Sequence, residues 1–153
     1  FVSLDPYRII VSGRIKHFIS AFGEHVIGKE VEQALHNTVQ THKALVSEFT
    51  VAPQVTPDEG LPHHEWWVAF EKPPKDLAIF AATLDSEMRN QNTYYDDLIS
   101  GGVLRPLVLR TLPADAFEQY MKSIGKLGGQ NKTPRLTNDR KIADSLSKLF
   151  QIK

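Results

Sequence analysis

The segment at residues 128–136, Gly-Gly-Gln-Asn-Lys-Thr-Pro-Arg-Leu, combines backbone freedom with two cations. Its glycines allow positive φ angles, and Pro134 prevents the segment from continuing as a helix. Lys132 and Arg135 are the side-chain types that proteins use for phosphate, one as a point charge and the other as a planar fork. The pattern suits a reaction in which negative charge develops on a phosphate. The alternative is a solvated surface loop that leads into the last helix.

A second basic segment begins at Gly13, which Arg14 and Lys16 follow closely near a predicted strand turn. A glycine with two cations could form a hinge, with Arg14 directed at a phosphate or a ribose. The alternative is an ordinary hairpin with solvated ends, and this segment alone does not decide between them.

Residues 63–67, His-His-Glu-Trp-Trp, carry side chains that can bind metals or stack on bases. Adjacent residues of a strand point to opposite faces, so His63 and His64 would not share a metal, and we assign no metal site. Stacking of Trp66 and Trp67 on RNA bases would call for a basic, aromatic-rich strand motif. We therefore interpret the tryptophans as core or interdomain residues.

Composition limits the function classes. The chain has 153 residues, the length of one domain, with 18 basic and 18 acidic side chains and no cysteine. Zero net charge argues against a nucleic-acid partner bound through a basic face, and the missing cysteines exclude disulfides and thiolate catalysis. No apolar run approaches a membrane span, so we expect a soluble, cytoplasmic protein without a membrane partner. The start at Phe1, without an initiator methionine, predicts a fragment of a longer polypeptide.

Hydrophobic periodicity predicts an α+β domain. The predicted strands are 7–12, 15–22, 45–55, 65–71 and 104–112, and the first two form an N-terminal hairpin. The predicted helices are one from Ile27, then 77–92, 94–99, 114–125 and a last one capped by Asn138. This order matches the β-α-β-β-α-β core of a ferredoxin-like sandwich, an antiparallel sheet with helices on one side, followed by two extra C-terminal helices.

Four stretches, at residues 7–14, 21–26, 62–67 and 125–136, together resemble the C-terminal part of the auxin-responsive Gretchen Hagen family of acyl–amino-acid amido synthetases, of the bacterial type. They cover nearly the whole chain and keep the family's order. The family belongs to the adenylate-forming superfamily, which also contains acyl-CoA synthetases and peptide-synthetase adenylation domains.

The resemblance implies a two-step ligase. A carboxylic acid attacks ATP, with Mg²⁺, to give an acyl-adenylate and pyrophosphate, and an amine, usually an amino acid, then takes the acyl group and releases AMP. It further implies that residues 1–153 are a mobile lid, that their partner is an N-terminal adenylation domain which holds ATP and the acid, and that the lid alone binds no cofactor. The identity of the acid and of the amine stays open.

Residue roles follow from the same resemblance. Lys16 matches the pivot of the superfamily's hinge motif, and Arg14 matches its cation near the nucleotide. Lys132 matches the C-terminal catalytic lysine of adenylation, while Arg135 is a second candidate because the flanking sequence departs from the superfamily's Ser-Gly-Lys run. Glu30 matches the acidic residue of the following helix. The expected turn and loop glycines are Gly13, Gly23, Gly128 and Gly129.

The sequence leaves two other functions open. The first is an acyl-CoA ligase, in which a thiol replaces the amine. The second is a non-catalytic ferredoxin-like module that binds a ligand or a protein.

Overall fold

The computed structural model describes residues 3–4, 7–8, 18–129 and 131–153 of the chain. The strands in these ranges are β1 (Ser3–Leu4), β2 (Tyr7–Arg8), β3 (Phe18–Ile19), β4 (Val26–Ile27), β5 (Leu45–Gln54), β6 (His63–Lys72) and β7 (Val108–Leu112). The helices are α1 (Gly28–His42), α2 (Leu77–Gln91), α3 (Thr93–Ser100), α4 (Ala116–Ser123) and α5 (Lys141–Phe150). Within this part of the chain, no helix has the length and apolar character needed to cross a membrane.

Strands β5, β6 and β7 form a three-stranded sheet in that order. β5 and β6 are antiparallel neighbours, with Phe49 opposite Val68 and Val51 opposite Trp66. β6 and β7 are parallel, because α2 and α3 return the chain to the edge from which β6 starts. The predicted α+β class and element order are confirmed. The sheet is mixed, however, where an antiparallel one was expected.

Alternation of side chains along β6 divides the helices between the two faces of the sheet. Trp66 and Val68 pack with the buried residues of α1, α2 and α3. Trp67 and Ala69 pack on the other face with those of α4 and α5. The two tryptophans are thus core residues, which is one of the two roles, core or interdomain, expected from the sequence. The helices of the predicted core, α1, α2 and α3, lie on one side of the sheet as expected, and the two additional C-terminal helices cover the second face.

Local signals explain several element boundaries. The Glu30 carboxylate accepts a hydrogen bond from the backbone N–H of Ile27 at 3.0 Å and thereby caps the start of α1. Asp76 caps α2 and Asn92 caps α3, each through its side-chain oxygen. β7 begins only at Val108, later than predicted, and Pro106, which lacks an N–H, lies just before it.

Two local predictions are corrected. The expected hairpin between residues 7–12 and 15–22 falls partly on residues outside the described ranges. Its described parts pair with other strands, β2 with β1 and β3 with β4. Asn138 does not cap the last helix. Its side-chain oxygen accepts a hydrogen bond from the backbone N–H of Ser20, and Asp139 accepts one from the N–H of Lys141.

Candidate functional site

The basic loop between α4 and α5 begins with turns that only glycine adopts readily. Gly125, Gly128 and Gly129 have φ angles of +69°, +89° and +68°. No atom within 4 Å would meet a Cβ at any of these positions, so the backbone angle alone favours glycine there. Gly128 and Gly129 thus lie in the loop with left-handed backbone angles.

The C-terminal part of the loop is fixed against the edge of the sheet. Leu136 is 1% exposed and forms a parallel bridge with Val51. The Val51 N–H donates to the Arg135 carbonyl at 2.9 Å, and the Thr137 N–H donates to the Val51 carbonyl at 3.0 Å. The Thr50 hydroxyl donates to the Pro134 carbonyl at 2.8 Å. Residues 133–137 are thus held as an extension of the sheet.

Arg135 is engaged with its surroundings. One guanidinium nitrogen lies 2.9 Å from the Glu32 carboxylate and its Nε lies 3.5 Å from that of Glu48. The guanidinium carbon also lies 5.5 Å from the centre of the Phe49 ring. Two carboxylates and an aromatic face therefore direct this side chain onto α1 and β5, even though it is half-exposed.

Lys132 differs from Arg135 in its environment. Its side chain is exposed, as is that of Asn131, whereas the next residue, Thr133, is buried. Of these two cations, Arg135 forms ion pairs with the described residues and Lys132 forms none. Lys132 thus stands where the exposed part of the loop meets the part anchored at Leu136.

The turn at Gly23 lies beside the anchored loop. Gly23 has a φ angle of +91°, which glycine adopts readily. The hydrogen bond from Ser20 to Asn138, at 3.1 Å, ties the start of this turn to the segment after Lys132. Gly28, the first residue of α1, faces the Leu136 side chain. The structure thus brings together two motifs that are more than 100 residues apart.

A buried carboxylate, Glu24, holds this turn in place. Its Oε1 lies 2.8 Å from His64 Nε2, and its Oε2 accepts from the Phe22 N–H at 2.8 Å. Since a carboxylate only accepts, His64 carries its proton on Nε2. The Asn92 amide donates to the Glu24 carbonyl at 2.9 Å and to the Glu30 carboxylate at 3.1 Å. The turn, α1 and α3 therefore share one hydrogen-bond network.

The pKa of Glu24 is set by opposing effects. Burial raises the pKa of this carboxyl, but the hydrogen bonds from His64 and from backbone N–H groups outweigh burial and leave the pKa below its ordinary value. The group is therefore a charged carboxylate inside the fold. Sequence reasoning missed this pair, since nothing local links two residues 40 positions apart.

Gly13, Arg14 and Lys16, the predicted hinge and nucleotide-binding residues, lie outside the described residues, as does Gln130 of the basic loop. Their roles stay predictions. His63 and His64 do point to opposite faces of β6, as expected: His64 meets Glu24, whereas His63 meets Arg105. Within the described ranges, no group of three or more histidine, aspartate and glutamate side chains could hold a metal ion.

Comparison with known proteins identifies the family of the chain. Residues 29–141 match the model of the GH3 family C-terminal domain. The chain therefore belongs to the GH3 family and represents its C-terminal domain, which confirms the Gretchen Hagen resemblance. No curated protein matches the chain.

Solved structures show the same fold. One is entitled GH3.15 acyl acid amido synthetase, with a TM-score of 0.71 and 17% identity over 90% of this chain. Another is entitled AtGH3.15 acyl acid amido synthetase in complex with 2,4-DB, with a TM-score of 0.68, 17% identity and the same coverage. This chain covers 26% of the length of each of these structures.

Proposed function

We propose that this domain is the mobile lid of an ATP-dependent ligase that joins a carboxylic acid to an amino acid. Membership of the GH3 family and the fold shared with acyl acid amido synthetases support the ligase role. Because the chain covers about a quarter of those structures, the proposal includes an N-terminal adenylation domain as its partner. That domain would bind ATP, Mg²⁺ and the acid.

The proposed reaction has two displacements. A carboxylate oxygen of the acid attacks the α-phosphorus of ATP, and pyrophosphate leaves with the electrons of the broken P–O bond. The amino-acid nitrogen then attacks the acyl carbon, loses a proton and expels AMP. Negative charge grows on the α-phosphate in the first step and on the acyl oxygen in the second, so a positioned cation accelerates the step in which it is present.

The observation that carries the assignment of the cation is the contrast between Lys132 and Arg135. Arg135 is held by Glu32, Glu48 and the Phe49 ring. Lys132 is exposed and only four residues before the buried anchor Leu136. An ammonium group on such a loop can enter a partner domain's site without first breaking an ion pair with the described residues. We assign the adenylation role to Lys132.

The hinge belongs to the same proposal. Lys16 would serve as the pivot and Arg14 as the cation near the nucleotide. The Glu24–His64 pair supports this scheme, since it fixes the turn that follows the hinge segment to the sheet that the Lys132 loop joins. A rotation at Lys16 would then move the turn, the loop and the sheet as one body.

The half-reactions of the intact enzyme test the role of Lys132. Lys132→Ala should slow adenylate formation roughly 10²–10³-fold, the usual effect of removing one electrostatic donor. Transfer from a preformed adenylate should stay nearly unchanged. The matched control is Lys126→Ala, which removes another exposed lysine of the same loop and should affect neither step. Equal loss of both steps in Lys132→Ala would refute the role.

A second assay separates amide from thioester formation. With the acid that supports adenylation, amino acids, hydroxylamine and coenzyme A are offered as acceptors to the intact enzyme. We expect an amide product with an amino acid. A product with coenzyme A alone would assign the domain to an acyl-CoA ligase instead, and tight ligand binding by the isolated domain without adenylation would indicate a binding module.

A further inference from the structure

A cleft of about 620 Å³ opens on the face of the sheet that α4 and α5 cover. Its walls include His63, Glu65 and Trp67, which alternate along β6 and therefore share this face. Arg110 of β7 and Arg140, just before α5, line it as well. The proposed ligase reaction uses none of these side chains.

The centre of the cleft is a buried carboxylate among cations. Glu65 is 3% exposed, and its carboxylate lies 3.5 Å from Arg110 Nε and 3.4 Å from a guanidinium nitrogen of Arg140. Arg140 also pairs with Asp144 at 3.2 Å. A third guanidinium, that of Arg105, donates to His63 Nδ1 at 3.1 Å. Arg105, Arg110 and Arg140 thus line the cleft together with Lys153, and the acidic residues of the lining are Glu65, Asp144, Asp58 and Glu59.

Several nitrogen atoms of this cleft are buried without a hydrogen-bond partner. They are His63 Nε2, Trp67 Nε1 and Arg110 Nε. His63 Nε2 and Arg110 Nε lie 3.8 Å and 3.5 Å from the Glu65 carboxylate without forming a hydrogen bond to it. The His63 and Trp67 side chains are each 2% exposed. His63 Nδ1 lies between the Arg105 guanidinium, at 3.1 Å, and the Leu61 carbonyl, at 3.2 Å. In the tautomer that accepts from Arg105, the ring proton is on Nε2.

Buried donors without acceptors, beside guanidinium groups, favour one kind of ligand. A buried N–H without an acceptor costs stability, and a group with several oxygen acceptors would remove that cost. Carboxylate and phosphate groups also match the planar fork of arginine. The acidic residues Asp58 and Glu59 lie in the exposed loop at the mouth and not among the buried donors.

We propose that this cleft is an oxyanion site, which holds the carboxylate or phosphate group of a small molecule between Arg110 and the indole N–H of Trp67. The inference does not depend on the adenylation role of Lys132. It rests on the convergence of unpaired donors with Arg105, Arg110 and Arg140 in one cleft.

Indole N–H signals in a proton–nitrogen NMR spectrum of the chain test the proposal. The chain has two tryptophans, and Trp66, stacked on Phe49 on the opposite face of the sheet, is the internal control. Sodium acetate and sodium phosphate are titrated at constant ionic strength against sodium chloride. We expect a saturable shift of the Trp67 signal, identified with Trp67→Phe, and little change at Trp66.

Two variants test whether Arg110 binds the anion. Arg110→Gln should weaken binding roughly ten- to a hundred-fold, as expected for loss of a charge-assisted hydrogen bond. Lys122→Gln, an exposed cation of α4, should leave the affinity unchanged. A folded Arg110→Gln protein is recognised by an unshifted Trp66 signal.

The two anions also distinguish the ligand's source. A response to acetate alone assigns the site to carboxylates, a response to phosphate alone assigns it to phosphate compounds, and a response to both supports the shared oxyanion chemistry. No shift of Trp67 with either anion, or an equal shift with chloride, would overturn the proposal. So would binding that Arg110→Gln leaves intact in the folded protein.

Discussion

Replacement of His64 by phenylalanine tests the buried pair that holds the Gly23 turn. The new ring can keep the aromatic contact with Tyr95, whose ring centre lies 5.1 Å from that of His64. The Nε2–H donor to Glu24 is lost, and the Glu24 side chain is 0% exposed, so water does not replace the donor without rearrangement. The substitution therefore isolates one hydrogen bond to a buried charge.

The expected cost follows from that geometry. A hydrogen bond to a charged group contributes roughly 1.5–3 kcal/mol, and removal of one partner from a buried ion pair costs about 3–5 kcal/mol. Because Glu24 keeps the hydrogen bond from the Phe22 N–H, we expect a loss of about 3 kcal/mol at pH 7. For a domain of this length, that lowers the melting temperature by roughly 6–12 °C.

The loss should depend on pH with a definite sign. The pKa of Glu24 in the folded protein lies below its value of 4.5 in the unfolded chain. Its contribution is therefore complete above about pH 4.5 and is lost as the pH falls through the lower, folded-state pKa. The difference between the wild type and His64→Phe should accordingly be largest near neutral pH and shrink in acid.

Urea denaturation of both proteins between pH 3 and pH 7 measures this difference. His36→Phe, a substitution at an exposed histidine of α1, is the control and should change stability by less than about 0.5 kcal/mol. A double-mutant cycle with Glu24→Gln should give a coupling of at least about 1 kcal/mol. A loss below about 0.5 kcal/mol for His64→Phe, or additive single changes, would refute the reasoning.

Two further substitutions test the anchors of the fold. Leu136→Ala truncates a side chain that is 1% exposed and should lower the free energy of unfolding, measured by urea denaturation, by about 2–5 kcal/mol. Hydrogen exchange at the Thr137 amide, which donates to Val51, should become faster. An unchanged exchange rate at this amide would contradict the anchoring of the loop. Tyr95→Phe removes the hydroxyl that donates to Asp85 at 2.6 Å and should cost about 1–3 kcal/mol. Burial, followed by the Asp85 charge, raises the pKa of Tyr95 well above 10.0. Wild-type stability should therefore also fall as the pH rises above about 10. A Tyr95→Phe protein with the same alkaline stability profile would contradict this role of Tyr95.

Much of the fold could be predicted because its signals are local. The spacing of Val31, Ala34 and Leu35 marks the buried side of α1, and the structure buries all three. Alternation in β6 correctly assigns Trp66 and Trp67 to opposite faces. A period of 2 or 3.6 residues depends on neighbours along the chain, and one sequence contains that information.

Strand pairing could not be predicted in the same way. The parallel contact of β6 with β7 brings Trp67 beside Arg110, 43 positions later, through a crossover of two helices. The packing of α4 and α5 on the second face likewise depends on residues that are distant in the sequence. The ferredoxin-like pattern gave the right order of elements, but it predicted an antiparallel sheet and did not place α4 and α5 on a face.

The candidate site shows the same limit. Lys132 and Arg135 could both be named from residue type and loop chemistry, but the choice between them depends on Glu32 and Glu48, which sequence spacing does not place near the loop. Glu24 and Glu65 were missed for a related reason. A buried carboxylate looks like a surface residue until the donors that satisfy it are known.

The most direct test of the central claim is acid-dependent exchange of labelled pyrophosphate into ATP by the intact enzyme, measured across a panel of carboxylic acids. With an acid that the enzyme accepts, Lys126→Ala should exchange at the wild-type rate and Lys132→Ala about 10²–10³-fold more slowly. Wild-type exchange in Lys132→Ala would contradict the assignment of this lysine and would transfer the role to Arg135 or another residue. If the wild type supports exchange with none of the acids in the panel, that result would contradict the adenylating role itself.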